Sequence, residues 1–298
     1  MKNLLKLSLA LLVVACSQPK SNNESESTEV KEPVEDKISL EVIWESDTVL
    51  TTSESVYYDK SNDVLYVSCI NGVPPNEQDE DGYIAKVSPK DGSIIELKWI
   101  TGLDAPKGMG KVGNNLYVTN IDELVIVDVT TGEITERVAV PEAQFLNDIA
   151  TDDDGNVYFS DSNTNKLHKY SADGTLSTWL EGENLGGPNG LFHDGERMML
   201  ATFGAGDFRS IDYTTEEVKP VVDSIPGGDG VVKVGVDYLV SNWNGEVYYV
   251  TSNWEKQLIL DTKEIGANAA DIEFDESSMT LYVPTFFGNQ VAAYKLNK

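Results

Sequence analysis

The sequence predicts an all-β fold, a six-bladed β-propeller whose last blade is closed by the N-terminal strand. Three observations carry this expectation. Short β-type runs separated by turns fill the chain from Ile38 onward. Related segments begin at Glu54, Lys107, Asn147, Asn189, Asp229 and Asp271, spaced by 53, 40, 42, 40 and 42 residues. No segment carries the 3.6-residue apolar period of an amphipathic helix. Four-stranded units at such a period are the blades of a propeller.

Residues 1–15 read as a processing signal. Lys2 and Lys6 give a positive start, and Leu7 to Val14 is an apolar run too short to cross a bilayer. The run ends in Val13-Val14-Ala15-Cys16, which resembles a bacterial lipoprotein processing site. The resemblance implies cleavage before Cys16, lipidation of its sulfur, and a lipid-anchored protein of the bacterial cell envelope, on the periplasmic or outer-surface side. Residues 16–37 are rich in Ser, Asn, Glu, Lys and Pro, the composition of a disordered polar tether.

The propeller spans residues 38–298. Its clearest repeat is Asn147 to Leu180, which reads as four strands, with DDDG and SADG as Gly-containing turns. The last unit has room for three strands only, DIEF, TLYVPTF and QVAAYKL. ISLEVIW, from Ile38 to Trp44, alternates like a strand and supplies the fourth. That pairing closes the ring and hides two sheet edges. The first interval is long because NGVPPNEQDEDG, Asn71 to Gly82, is inserted after a second strand. It is expected to overhang a mouth of the channel, as a lid or as an acidic loop.

Charge and residue counts narrow the function. The formal net charge is −28, and −30 once Lys2 and Lys6 are removed with the signal. Such a chain repels phosphates, so nucleic acid is not expected as a partner. With Cys16 lipidated, Cys69 stands alone and no disulfide framework exists. Two histidines, His168 and His193, argue against a His-rich zinc site.

In a propeller the first strand of each blade lies nearest the axis, so the residues at its start converge on one mouth. Here these are Glu54, Lys107, Asn147, Asn189, Asp229 and Asp271. Buried carboxylates without a cation are costly, and converging carboxylate and amide oxygens suit a hard divalent ion. Second-strand ends reach the same mouth and supply Asn120, Asp161, Phe203, Trp243 and Phe286, whose aromatics are expected to stack on a small ligand.

These segments resemble the senescence marker protein-30/gluconolactonase family, six-bladed propellers with one divalent cation near the central channel. The matching pieces are SESVYYD at Glu54, LNDIATDDDGNVYFSD at Asn147, GGPNGLFHDG at Asn189 and GGDGVVKVG at Asp229. The resemblance covers most of Glu54 to Lys298. It implies Glu54, Asn189 and Asp229 as metal ligands, Asn147 facing substrate or a metal-bound water, and Asp229 as general base. It also implies one divalent cation, calcium first, with magnesium, zinc or manganese as alternatives. The implied activity is hydrolysis of a small-molecule lactone or related ester, and the protein is expected to be a monomer. Lys107, Asp271, Trp243, Phe203 and Phe286 are the remaining expected substrate contacts. The sequence departs from the family at Ser53-Glu54-Ser55-Val56, where Gly-Glu-Gly-Pro is usual, and has no match for the arginine that contacts sugars in some members.

Two other functions fit a propeller of this kind. A non-catalytic envelope protein would bind a peptide, glycan or protein partner and use the cation structurally. A lyase-type propeller commonly uses a catalytic histidine, and neither His168 nor His193 falls at a blade start.

Overall fold

The computed structural model describes residues 38–298. The signal at 1–15, the tether at 16–37 and Cys16 lie outside the described residues. Each repeat forms a four-stranded antiparallel sheet, and six such sheets stand in a ring. The blades run from Ser53–Asp59 to Ile94–Leu103, from Pro106–Val112 to Glu133–Ala139, from Leu146–Thr151 to Leu176–Glu181, from Pro188–His193 to Val218–Val222 and from Gly228–Val234 to Lys256–Asp261. The sixth holds Glu273–Asp275, Thr280–Pro284, Val291–Asn297 and the N-terminal Ser39–Glu45.

Ser39–Glu45 pairs antiparallel with Val291–Asn297, from Ser39 opposite Asn297 to Glu45 opposite Ala292. The expected closure therefore forms, and the C-terminal strand has no free edge. In the first, third and sixth blades the hairpin between first and second strands is set by an aspartate. Asp59, Asp152 and Asp275 each accept the backbone N–H two residues on, at 3.0 to 3.1 Å. This is the turn chemistry that short acidic side chains favour.

The apolar core lies between blades rather than within one. Val67 and Ala85 of the first blade pack with Tyr282 and Ala293 of the sixth. Leu239 and Val247 of the fifth meet Leu281 and Val283 of the sixth. Middle strands are buried on both faces, which is why VLYVSC and LVIVD read as nearly continuous apolar runs. Cys69 sits in this layer, fully buried, and burial pushes its thiol up to about 12. It is a packing residue.

Candidate functional site

The inner strands share a local device that builds the site. In the second to fifth blades their pairing slips between the first and fourth residues, as between Leu146 and Ile149 or Gly228 and Val231. The two residues skipped are Lys107-Gly108, Asn147-Asp148, Asn189-Gly190 and Asp229-Gly230. Hydroxyls of the second strand serve the freed backbone groups. Ser160 Oγ accepts from Asp148 N at 3.0 Å, Ser241 Oγ from Gly230 N at 2.8 Å and Ser68 Oγ from Ser55 N at 3.0 Å. Thr119 donates to the Asn147 carbonyl of the next blade, and Ser241 donates to that of Ala270 at 2.7 Å. Adjacent strands come so close that a Cβ on Gly230 would lie 2.3 Å from the Ile272 nitrogen.

The first residue of each pair, with Glu54 of the first blade, faces a cavity of about 370 Å³ at one mouth, so that Glu54, Lys107, Asn147, Asn189 and Asp229 line it. These five, expected from the repeat alignment to converge, line one cavity. The sixth start is different. Ala270, not Asp271, accepts the hydroxyl bond equivalent to that of Asn147. Asp271 lies one residue further along the channel. It accepts from Ser55 Oγ at 2.5 Å and faces the opposite opening together with Asp148 and Glu273. Asp271 therefore does not line the cavity that holds the other five. The cause is a one-residue offset in aligning the last repeat.

Glu54, Asn189 and Asp229 are 6%, 2% and 2% exposed. Each carries one buried oxygen without a hydrogen-bond partner: Glu54 Oε2, Asn189 Oδ1 and Asp229 Oδ1. Asn189 Nδ2 donates to the Gly228 carbonyl at 3.3 Å, an assignment of the amide that leaves Oδ1 as the free atom. Asn147 Nδ2 donates to Ser162 Oγ at 3.3 Å. Lys107, 1% exposed, donates to the Ala105 carbonyl at 3.0 Å and lies 4.4 Å above the Phe145 ring.

The electrostatics are unbalanced. Burial pushes Glu54 up to about 7, with Lys107 partly offsetting it, and draws Lys107 down to about 8, with Glu54 partly offsetting that. Burial, then repulsion from Glu54 and Asp271, raises Asp229 well above the usual carboxylate range. Burial also lifts Asp148 to about 8, against the backbone N–H groups of Leu191 and Ile149, which bond it at 2.6 Å. Partnerless buried oxygens among like charges are expensive, and a divalent cation relieves both costs. The residues fit such an ion. Among the described residues no three His, Cys, Asp or Glu side chains form a ligand group, so the set depends on the Asn189 amide oxygen. An all-oxygen set of this kind suits calcium or magnesium better than zinc.

Three expected aromatics line the cavity: Phe203, Trp243 and Phe286. By strand register each occupies the position that Ile70 holds in the first blade. The N–H groups of Ile70, Phe203 and Trp243 bond the carbonyls of Thr52, Gly187 and Gly227, just before the inner strand of their own blade, at 2.8 to 3.2 Å, whereas Phe286 N–H bonds the Ser53 carbonyl of the first blade at 3.1 Å. Asn120 and Asp161 have another task. Their side chains accept consecutive backbone N–H groups, Asp104 and Ala105 for one and Gln144 and Phe145 for the other, at 3.0 to 3.1 Å. The insertion does reach this mouth, where Val73 and Pro75 form part of the wall. Sequence reasoning missed Phe145, Phe287 and Asp148. Phe145 lies two residues before Asn147, and Phe287 follows Phe286, so both were signalled by adjacency alone. His168 is buried against Phe159 and His193 contacts the Tyr213 hydroxyl at 2.6 Å, so neither lines the cavity.

No protein-family model and no curated protein matches the chain. Solved structures do share its fold. A gluconolactonase from Xanthomonas campestris aligns with a TM-score of 0.65 at 16% identity, over 86% of this chain and 89% of that one. A catalytically inactive virginiamycin B lyase from Staphylococcus aureus, solved with quinupristin, aligns with a TM-score of 0.61 at 16% identity, over 87% and 100%. A streptogramin B lyase aligns with a TM-score of 0.61 at 15% identity. At such identities the likeness carries the six-bladed fold and leaves the chemistry to the site.

Proposed function

We propose that this protein is a divalent-metal-dependent hydrolase of lactones or related esters, anchored in the bacterial envelope through a lipid on Cys16. One observation carries the enzymatic reading. The three oxygens left without partners in the buried floor belong to Glu54, Asn189 and Asp229, the residues that the family resemblance implies as ligands. A gluconolactonase and a lyase share the fold. The absence of histidine from the cavity wall favours the hydrolase.

A cation held by Glu54, Asn189 and Asp229 would polarise the lactone carbonyl and offset charge on its oxygen during attack. Asp229 would take a proton from the attacking water as that oxygen bonds the carbonyl carbon, acting as the carboxylate that a bound cation favours over the protonated form. The ring C–O bond then breaks, and the same proton passes to the departing alkoxide to give a hydroxy acid. Asn147 orients the water or the substrate from the adjacent blade. Lys107 limits the negative charge on the floor.

The test combines metal analysis with a lactone and ester panel. Calcium should restore activity lost to EDTA, and Asp229→Asn should abolish it. At a hundredfold excess over its Kd, the cation should add about 2.7 kcal/mol of stability. For a domain of this size that is a rise of roughly 5–10 °C in Tm, lost in Glu54→Gln. A purified protein that takes up no divalent cation would overturn the site reading. A bound cation with no turnover on the panel would favour the non-catalytic propeller.

A further inference from the structure

The cavity is two-sided in chemistry. Its floor is the acidic and amide cluster, while its wall is built of Ile70, Phe145, Phe203, Trp243, Phe286 and Phe287. Four of these, Ile70, Phe203, Trp243 and Phe286, occupy one repeated blade position by strand register, three residues beyond Val67, Leu200, Val240 and Val283 of the second strands. The apolar collar is thus a feature of the ring, contributed blade by blade.

The collar is preformed. Trp243, Phe286 and Phe287 interlock edge to face, with centroids 5.5, 5.7 and 4.9 Å apart. Asn268 ties the cluster down, donating to the Trp243 carbonyl at 2.7 Å and accepting from Phe287 N at 3.3 Å. Yet Phe203 and Phe287 remain 48% and 52% exposed at this mouth. Large apolar surface held open beside a small-molecule cavity is recovered when an apolar ligand covers it.

The wall is poor in partners for hydroxyl groups. Ser162 already donates to the Pro188 carbonyl at 2.7 Å and accepts from Asn147 at 3.3 Å, which leaves Asn163 as the wall's polar group. A polyhydroxylated lactone would bury several hydroxyls against aromatic faces and forfeit their hydrogen bonds to water.

We infer that the substrate of this site is a lactone or ester bearing an apolar alkyl or aryl substituent, its carbonyl on the acidic floor and its substituent along Phe203, Trp243, Phe286 and Phe287. The inference rests on the proposed hydrolase reading and narrows its substrate class away from sugar lactones.

The experiment compares γ-butyrolactone, its γ-alkyl derivatives up to γ-dodecalactone, and glucono-δ-lactone on the intact calcium-supplied protein. Hydrolysis is followed by pH-stat and binding by calorimetry. With turnover, kcat/KM should rise roughly fourfold per added methylene until the wall is covered, the equivalent of about 0.8 kcal/mol each. If no lactone is hydrolysed but Kd falls by the same factor along the series, the apolar-ligand preference of the cavity stands and the hydrolase reading fails. A flat response to chain length, or a preference for glucono-δ-lactone, overturns the inference in either measurement. Phe203→Ser, at a half-exposed position where folding is spared, should cut the response to γ-dodecalactone severalfold. An unaltered chain-length response in both Phe203→Ser and Phe287→Ser would overturn it as well.

Discussion

Replacing Gly190 with alanine tests the tightest contact of the central channel. The new Cβ would fall 1.6 Å from the Asp229 carbonyl oxygen and 2.7 Å from its carbonyl carbon. The obstacle is backbone, not the free end of a side chain. Ordinary contact begins near 3.4 Å, so the neighbouring strand would have to retreat by about 1.8 Å. That strand is held by the bond from Gly230 N to Ser241 Oγ and by the packing of Val231 and Val240. Overpacking a dense core typically costs about 1–3 kcal/mol, and a displacement of this size belongs at the upper end, about 3 kcal/mol. With roughly 2–4 °C per kcal/mol for a domain of this size, the expected fall in Tm is about 6–12 °C. The assay is thermal and urea unfolding followed by circular dichroism, with Gly72→Ala as control. A Cβ on Gly72 meets nothing within 4 Å, so its effect should stay within about 0.5 kcal/mol. Cation uptake should weaken in Gly190→Ala too, because the retreat moves Asp229. A melting point within two or three degrees of the unmodified protein would refute the close-contact argument.

Further outcomes follow from single contacts. Ser55→Ala removes the 2.5 Å partner of Asp271 in the buried channel and should cost about 1–3 kcal/mol in urea unfolding; an unshifted midpoint would show that water replaces the hydroxyl. Burial lifts Glu273 to about 7 from 4.5, despite bonds from Phe274 N and Tyr58 N. The folded state then holds its proton more tightly than the unfolded chain. Stability should therefore fall as pH rises from about 4.5 through about 7, by up to about 1.4 kcal/mol per pH unit. Glu273→Gln should remove that component, and an identical pH profile in the two proteins would exclude it. Cys16→Ser should move the protein from the membrane to the soluble fraction; unchanged fractionation would rule out a lipid anchor at that residue.

Much of the candidate site was legible because the repeat is geometrically strict. Once Glu54, Lys107, Asn147, Asn189 and Asp229 are aligned at blade spacing, their convergence follows from the symmetry of the ring. The aromatics after the second strands were readable for the same reason. The offset at Asp271 was not, since Ala270-Asp271 and Asp229-Gly230 both present an acid near a strand start. Only the hydroxyl bond from Ser241 to Ala270 decides which residue holds the mouth position. Asp148 was hidden behind Asn147, although its bond to Leu191 N links the third blade to the fourth.

The sequence by itself determined the architecture. Blades buried on both faces demand short apolar strands at a fixed period, and three strands at one end with one at the other leave a single way to close the ring. It also named five residues at the mouth, Glu54, Lys107, Asn147, Asn189 and Asp229, because strand starts are local features. Tertiary structure alone completed the wall beyond Phe203, Trp243 and Phe286. Phe145 and Phe287 come from loops whose position depends on distant hydrogen bonds, to Asp161 and Asn268. The partnerless oxygens of Glu54, Asn189 and Asp229 are likewise a property of three blades meeting, since whether a polar atom finds a partner depends on everything packed around it.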